Sequence, residues 1–388
     1  MIYLDNAATT RMDPLVFTEM MPWLTERYGN PGSLYPFGQE AKHAIDAARC
    51  RLSWFFHCDP EQIIFTSGGS EGNNLVVKGL VPHLKKLGKT KILYSSVEHD
   101  SLVHAVESVC AQHSFIAEEI PVTPDGSIDM EIFPSMLTDD VGLVCVMYVN
   151  NELGVKVWDE DNLIPRICRE KGILLHSDCV QAAYDFQLNT DGKGSPDFIS
   201  ISSHKLHGPK GVGAVFAKDP ELLSPLISGG AEQEFGLRGG TENVAGIIGF
   251  AKACDLIYRD EESGELVFDP AKLCGEFLEE LNSAAGSENF RCNVPSQTRK
   301  TLSVTFPGVD AQCLVLAAGA NGLCISAGSA CRSLESKPSR TLKAIGLSDE
   351  DARSTIRVSF SRMNNVYEVR EAARIIAGCV DKLKGVSS

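Results

Sequence analysis

The sequence lacks the features that mark fibrous, repeat and membrane-spanning proteins. It has only 18 prolines and 3 tryptophans in 388 residues, and it contains neither a low-complexity tract nor an internal repeat. No apolar run approaches the roughly 20 residues that a membrane-spanning helix needs. The first segment has no basic flank and no apolar stretch of the kind found in signal peptides, so we expect mature protein from Met1 onward.

Positive charge and paired cysteines are also scarce. With 36 basic and 51 acidic residues, the formal net charge is -15, so we expect no direct nucleic-acid partner and no membrane partner. The 13 cysteines include no CxxC pair, which fits neither a disulfide framework nor a four-ligand zinc site. We therefore expect a cytoplasmic protein with reduced thiols and no metal centre.

Strand-like and helix-like patterns alternate through the first two thirds of the chain. This alternation is typical of α/β proteins, in which crossover helices join the strands of a mostly parallel sheet. The predicted helices include 39–56, 75–80, 159–171 and 242–259. The predicted strands are 63–66, 91–95, 144–149, 172–177, 198–202 and 213–217.

An acidic segment, 260–265, follows the last of these helices and is the most plausible boundary between domains. We predict a large domain over 13–259 and a small α+β domain made of 1–12 plus 260–388. The small domain has alternating strand patterns at 301–306 and 355–360 and helical patterns at 312–318 and 366–384.

Lys205 is the first candidate for chemistry. It follows the apolar strand 198–202 and precedes Gly208-Pro209-Lys210-Gly211, where the chain must turn tightly. Burial at a strand end lowers the pKa of a lysine and makes the amine nucleophilic toward an aldehyde. The competing interpretation is a solvated loop lysine, so the neighbouring residues must decide.

Other polar residues also follow predicted strands. In an open α/β sheet the ligand lies at the carboxyl ends of the strands, so these residues would share one pocket. Asp178 could keep a pyridinium nitrogen protonated or cap a helix. The small residues of 66–74 could bind a phosphate at a helix N-terminus. His99 could stack on a flat ring, and Asn151 offers an amide to cofactor or substrate.

The chain resembles the fold-type I pyridoxal-phosphate (PLP) enzymes, and within them the class V aminotransferase group that holds the NifS/IscS-type cysteine desulfurases. The resemblance spans nearly the whole chain, with motifs at 3–10, 29–33, 66–74, 98–101, 150–154, 176–181, 203–205, 238–243, 329–331 and 357–359. It implies a large, mostly parallel sheet of the seven-stranded type and a smaller α+β domain.

The resemblance also implies roles for individual residues. Lys205 would carry the cofactor as a Schiff base and take the Cα proton, while His99 would stack on the ring. Asp178 and Gln181 would bind the ring nitrogen and the 3-hydroxyl. The phosphate would be held by Gly69, Ser70, Ser202 and His204, and by Thr241 from the partner of a homodimer. Arg357 and Asn151 would fix the substrate carboxylate.

Cys331 separates a desulfurase from a transaminase. Its thiolate, favoured by Arg332, would take the sulfur of L-cysteine as a persulfide and leave L-alanine. The cysteine would lie on a loop at about 324–340, and an iron-sulfur scaffold or a tRNA-thiolation protein would accept the sulfur. A selenocysteine lyase, an aminotransferase or epimerase that does not need Cys331, and a non-catalytic scaffold for a sulfur acceptor remain alternatives.

Overall fold

The computed structural model describes residues 1–158, 161–182, 194–230, 232–262, 269–295, 298, 300–328 and 338–386. Its strands are β1 (Ile2–Tyr3), β2 (Ile63–Thr66), β3 (Lys91–Ser95), β4 (Ile116–Ile120), β5 (Val141–Cys145), β6 (Leu174–Asp178), β7 (Phe198–Ser202), β8 (Gly213–Ala217), β9 (Arg291–Cys292), β10 (Thr301–Thr305), β11 (Leu323–Cys324), β12 (Ser326–Ala327) and β13 (Thr355–Ser359). Its α-helices are α1 (Pro14–Thr25), α2 (Pro36–Phe56), α3 (Gly69–Gly79), α4 (Val81–Lys86), α5 (Asp100–His113), α6 (Phe133–Met136), α7 (Leu163–Glu170), α8 (Val244–Glu262), α9 (Pro270–Ala285), α10 (Ala311–Ala320), α11 (Arg340–Ala344), α12 (Asp349–Arg353) and α13 (Val366–Val386). Within these ranges no helix has the length and apolarity needed to cross a membrane.

The larger sheet has seven strands in the order β2-β8-β7-β6-β5-β3-β4. Strand β8 is antiparallel to both of its neighbours, and the other pairings are parallel. Strands β2, β7, β6, β5 and β3 therefore point the same way, and their carboxyl ends share one edge. The predicted mostly parallel α/β sheet is confirmed, and four predicted strands have the predicted bounds.

Helices cover both faces of this sheet, which explains its nearly continuous apolar strands. Ile63 and Phe65 of β2 pack into a buried cluster with α1, α2 and α8. Ile64, between them in sequence, points the other way into a cluster with α3, α4 and α5. The side chains of strand β7 alternate in the same way, since Ile199 lies in the first cluster and Phe198 in the second.

Several predicted bounds were wrong. Strand β5 begins at Val141 rather than at residue 144, and α3 begins at Gly69 rather than at residue 75. Strand β4 was not predicted at all. It lies at the edge of the sheet, and four of its five residues, Glu118 and Glu119 among them, are exposed. Charged residues on edge strands oppose aggregation and also weaken the strand pattern in the sequence.

The smaller sheet has the order β12-β13-β10-β9 and is antiparallel. Side chains of α9, α10 and α13 cover it, with Phe277, Leu314 and Ile376 fully buried. Strand β1 pairs with β11 near this sheet. The predicted acidic boundary begins inside α8, which continues through Glu262, and residues 263–268 lie outside the described ranges. The division into domains stays a prediction.

A buried ion pair fixes the turn at residues 233–236. Arg49 of α2 donates to both carboxylate oxygens of Glu234, at 2.9 and 2.7 Å, and the backbone N–H of Phe65 donates to the same carboxylate at 2.7 Å. Glu234 and Phe235 both adopt left-handed backbone angles, with φ of 44° and 57°. Such angles strain residues that have a side chain, so the ion pair holds a conformation that the turn would not keep alone.

Replacing Glu234 with alanine should lower the free energy of unfolding by about 3–5 kcal/mol, because it leaves a buried guanidinium without its counter-charge. The matched control is Glu170→Ala, since Glu170 pairs with Arg166 on the surface, where the two side chains are 63% and 67% exposed. That change should cost less than about 1 kcal/mol. Equal losses in urea unfolding would contradict the structural role of the buried pair.

Candidate active site

A cavity of about 290 Å³ opens at the carboxyl edge of the larger sheet. Strands β2, β7, β6 and β3 each end beside it. The predicted site residues that line it are Gly69, Ser70, His99, Asn151, Asp178, Gln181, Ser202, His204, Lys205 and Arg357. Thr241 is exposed and is not among the lining residues, and Cys331 lies outside the described residues.

Lys205 stands in a 3-10 turn directly after β7. Its ammonium donates to the backbone carbonyls of Ala7 and Ala8, at 2.5 and 2.8 Å. The next residue toward β7, His204, contacts the hydroxyl of Thr9 through Nδ1 at 3.1 Å. Burial, with Lys205 and Lys210 nearby, lowers the pKa of His204 to about 4, so its ring is neutral at pH 7.

Asp178 ends β6 and is only 4% exposed. Its Oδ2 accepts from the amide of Asn73 at 2.8 Å, and its Oδ1 accepts from the backbone N–H of Val180 at 3.0 Å. Asp178 therefore orders the local turn and also lines the cavity. No helix begins at it within the described residues, and its role toward a ring nitrogen stays a prediction. The sequence analysis gave Asn73 no role, although it lies in the same motif as Ser70.

Helix α3 begins at Gly69, so the predicted helix N-terminus is present beside the cavity. The backbone packs closely here, because a Cβ atom at Gly69 would lie 2.5 Å from Val180 Cγ2. Glu71 would repel an anion, but it accepts from Ser67 N–H at 2.8 Å and from Arg238 at 3.0 Å. Burial raises the pKa of Glu71, and these hydrogen bonds outweigh it, so the net shift is downward.

His99 caps the N-terminus of α5. Its Nδ1 accepts from the backbone N–H of Ser101 at 3.1 Å and lies 2.8 Å from the Ser101 hydroxyl. Because Nδ1 acts as an acceptor, the neutral ring carries its proton on Nε2. The cap thus fixes the orientation of the imidazole beside the cavity.

Arg357 projects from β13 and is 2% exposed. It donates through Nη1 to the backbone carbonyl of Asn151 at 3.1 Å and through Nη2 to Asp5 at 2.8 Å. Its Nε is buried and has no hydrogen-bond partner among the described residues. The guanidinium, expected to bind a substrate carboxylate through two N–H groups, is thus already partly bound to Asp5. The sequence analysis did not single out Asp5.

Gln181 was expected to bind the 3-hydroxyl of the ring. In the structure its side-chain amide donates to the backbone carbonyl of Ala7 at 2.8 Å.

Two buried acids at the cavity, Glu98 and Glu152, were also missed. Glu98 accepts from Ser95 Oγ at 2.6 Å and from Met147 N at 2.5 Å through one oxygen, while its Oε2 has no partner in the described part of the chain. Burial raises the pKa of Glu98 to about 8. Both acids lie in motifs that the resemblance uses, but a sequence does not distinguish a buried carboxyl group from an exposed one.

Comparisons with known proteins agree with this arrangement. The model of the family "Aminotransferase class-V" matches residues 2–371. The chain belongs to this family. A cysteine desulfurase IscS of Rickettsia typhi is 35% identical over 393 residues, which cover 100% of this chain and 92% of that one. A solved structure of a NifS-like protein matches with a TM-score of 0.88 at 29% identity. The match covers 98% of this chain and 100% of the chain of the NifS-like protein. SspA, solved in complex with cysteine, has a TM-score of 0.79 at 30% identity, covering 93% and 99%.

These relatives place the chain among the cysteine desulfurases of the class-V family. The predicted resemblance, fold class and enzyme class are confirmed. Because the likeness to desulfurases runs along the full chain, a non-catalytic scaffold no longer has support. The individual roles of the site residues stay predictions.

Glu98→Gln should change how stability depends on pH. Folding raises the pKa of Glu98 from its ordinary 4.5 to about 8, so the folded chain holds this proton more tightly than the unfolded chain. The resulting stabilisation is complete below pH 4.5 and is lost as the pH rises through about 8. Glutamine keeps the acceptor and stays neutral. The difference in Tm, variant minus wild type, should therefore become more positive as the pH rises from 5 to 9.

Thermal unfolding across this range, followed by circular dichroism, measures the difference. Glu131→Gln is the control, because Glu131 is an exposed carboxyl group. Its Tm should follow that of the wild type at each pH. Parallel curves for Glu98→Gln and wild type would rule out a buried, protonated Glu98.

Proposed function

We propose that the protein uses PLP to convert L-cysteine to L-alanine and transfers the sulfur to Cys331. The observation that carries this proposal is the arrangement around one cavity of an amine, a carboxylate and a helix N-terminus, contributed by Lys205, Asp178 and Gly69. The relative solved with cysteine supports the choice of substrate.

The residues at the cavity fit PLP. The N-terminus of α3, with Gly69 packed too closely for a side chain, and the hydroxyls of Ser70 and Ser202 suit a phosphate. The buried Asp178 carboxylate suits a protonated ring nitrogen. His99 would stack on the ring, Gln181 would bind its 3-hydroxyl, and His204 would join the groups that hold the phosphate. When bound, PLP supplies an electron sink for the charge that develops at the substrate Cα.

Lys205 would anchor the cofactor and then move the Cα proton. A lysine can do both because its amine is a nucleophile toward an aldehyde and, as a free amine, also a base. The backbone carbonyls of Ala7 and Ala8, which accept hydrogen bonds from the Lys205 ammonium, would stabilise the protonated side chain. His99, with its Nε2 proton beside the cavity, is a second group that could move protons.

Arg357 and Asn151 would bind the substrate carboxylate. Asp5 already balances part of the guanidinium charge, so a second carboxylate would share the arginine with it. The buried Nε of Arg357, which has no hydrogen-bond partner among the described residues, is a further donor for that carboxylate.

Sulfur transfer would follow by attack of the Cys331 thiolate on the sulfur of the substrate. One S–S bond forms and the C–S bond breaks. The electron pair of that bond returns to the carbon skeleton, which gains a proton and leaves as L-alanine. The enzyme keeps the sulfur as a persulfide, so no outside oxidant or reductant is needed. An iron-sulfur scaffold or a tRNA-thiolation protein in the cytoplasm would then accept it.

A homodimer is supported by an apolar face on α1. Phe17, Met21 and Leu24 are 54%, 48% and 59% exposed, and their spacing places them on one side of the helix. Burying three such side chains against a second copy would contribute several kcal/mol. Thr241, exposed in the single chain, would complete the phosphate site of the partner.

Cys331→Ala should abolish alanine formation from L-cysteine while leaving the visible absorption of bound PLP unchanged, because the thiol acts on the substrate sulfur and not on the cofactor. Lys205→Ala should lose that absorption and also slow turnover by about 100- to 10,000-fold. Absorbance spectra and alanine assays measure both. Cys313→Ala, which removes an exposed thiol on α10, is the control and should keep full activity. Full activity of Cys331→Ala would exclude the persulfide route.

Replacing Phe17 and Met21 with glutamate should dissociate the dimer, since two charges would be buried without partners at the shared face. Light scattering after size-exclusion chromatography should give twice the chain mass of 42.0 kDa for the wild type and a single chain mass for the variant. Leu316→Glu, on α10 and 74% exposed, is the control and should stay dimeric. A monomeric wild type would refute the proposed assembly.

A further inference from the structure

Arg340 is a cation at the cavity wall that the proposed sulfur chemistry does not use. It is the first residue of α11, and it lines the cavity together with Glu98 and His99. Arg340 and Glu98 are 242 positions apart in the sequence, so only the fold brings them together. Their contact joins α11 to the segment that carries the histidine expected to stack on the cofactor.

The guanidinium of Arg340 holds the peptide group that links Glu98 to His99. Its Nη2 donates to the backbone carbonyl of Glu98 at 2.6 Å. Because a peptide group is planar, a fixed carbonyl also fixes the backbone nitrogen of His99 in the same plane. The Arg340 contact therefore limits the direction in which the His99 side chain leaves the backbone.

The other attachment of His99 acts on its ring. The hydrogen bond from Ser101 N–H to Nδ1, at 3.1 Å, fixes the rotation of the imidazole about its side-chain bonds. It does not fix the peptide group from which the side chain departs. Among the described residues, Arg340 is the only side chain that donates to the Glu98 carbonyl. A ring that must lie flat against another ring needs both contacts.

Helix α11 gives Arg340 a firm base. Leu342, two residues further along this helix, is fully buried in an apolar cluster with Leu153 and Val155. The backbone of Arg340 is thus anchored by apolar packing.

The far side of the guanidinium is held by the edge of the larger sheet. Nη1 of Arg340 lies 3.5 Å from the carboxylate of Glu119 on β4. The Tyr94 hydroxyl of the neighbouring strand β3 donates to the same carboxylate at 3.2 Å. The guanidinium therefore lies between the sheet edge and the Glu98 carbonyl, and its own position is restrained from both sides.

We propose that Arg340 is a positioning residue that sets the orientation of the His99 ring at the cavity by holding the peptide group between Glu98 and His99. The inference rests on the proposed role of His99 beside PLP. Removing the guanidinium leaves His99 in the chain but allows its peptide group to turn, so the ring lies flat against the cofactor for a smaller part of the time.

Visible circular dichroism of the full-length, PLP-loaded protein measures this orientation, because a bound chromophore that is not itself chiral gives a signal only in fixed, asymmetric surroundings. Arg340→Ala should reduce the signal per bound cofactor, as should His99→Ala. The kcat of Arg340→Ala should fall by about tenfold, the effect of one hydrogen bond from a charged donor. Its KM for L-cysteine should stay unchanged.

A double-mutant cycle tests whether Arg340 acts through His99. The variant that combines Arg340→Ala with His99→Ala should have the same kcat and the same visible signal as His99→Ala alone, since no ring is left to position. Independent effects would multiply instead. The visible signal allows this comparison without turnover.

Matched variants separate the contact from a general change in α11. Arg340→Lys keeps a charged donor for the Glu98 carbonyl and should restore most of the signal and of kcat. Lys343→Ala removes another cation of the same helix, one that pairs with Asp349 at the surface, and should behave like the wild type. Glu119→Gln keeps an acceptor for Arg340 and should also stay at the wild-type values.

Three results would overturn the proposal: an unchanged signal and kcat in Arg340→Ala, effects that multiply in the double variant, or an equal loss in Lys343→Ala. A raised KM together with multiplying effects would mean that Arg340 binds the substrate directly.

Failure of the proposed function looks different, because the wild type would then show no visible absorption of bound PLP or would form no alanine. Hydrogen exchange at Ser101 N–H, followed by mass spectrometry, needs no cofactor and still tests the contact. Exchange should be faster in Arg340→Ala than in the wild type, and equal rates would refute the positioning role.

Discussion

Parallel strands bring their carboxyl ends to one edge of a sheet, and the site of this protein depends on that constraint. The residues that follow β2, β3, β6 and β7 come from distant parts of the sequence, yet they line one cavity because those strands point the same way. Strand β8 reverses direction and contributes none of the lining residues. The larger sheet therefore supplies the groups proposed for the cofactor, and β13 of the smaller sheet adds Arg357.

The cavity also concentrates buried charge, which has to be balanced group by group. Arg357 is balanced by Asp5, and the carboxylate of Glu71 by Arg238. Glu98 has no counter-ion of comparable closeness, and burial raises its pKa instead. These are two different physical solutions to the cost of placing a carboxyl group out of water. The first solution needs an oppositely charged group on a neighbouring element, as Asp5 is for Arg357. Glu98 lacks such a close partner, so its carboxyl group is favoured in the neutral form.

Sequence reasoning found the residues that end apolar strands, such as Lys205, Asp178 and His99, because a polar residue after an apolar run is visible locally. It missed Asn73, Glu98 and Glu152, whose importance comes from burial and from partners elsewhere in the chain. The Arg357–Asp5 contact spans 352 positions, and no local pattern records it. Strand β4 was missed for a related reason, since its exposed glutamates reflect its place at the sheet edge.

The carbonyls that accept from Lys205 belong to Ala7 and Ala8, just after β1, and β1 pairs with β11 beside the smaller sheet. The lysine backbone, by contrast, is fixed at the end of a strand in the larger sheet. The ammonium group thus connects the segment that follows β1 with the end of β7 in the larger sheet. The same N-terminal segment is also joined to the larger sheet, because the backbone N–H of Thr10 donates to the carbonyl of His204 at 2.9 Å. A substitution that shifts residues 7–10 would therefore move the acceptors of the lysine ammonium without altering the strand that carries the lysine.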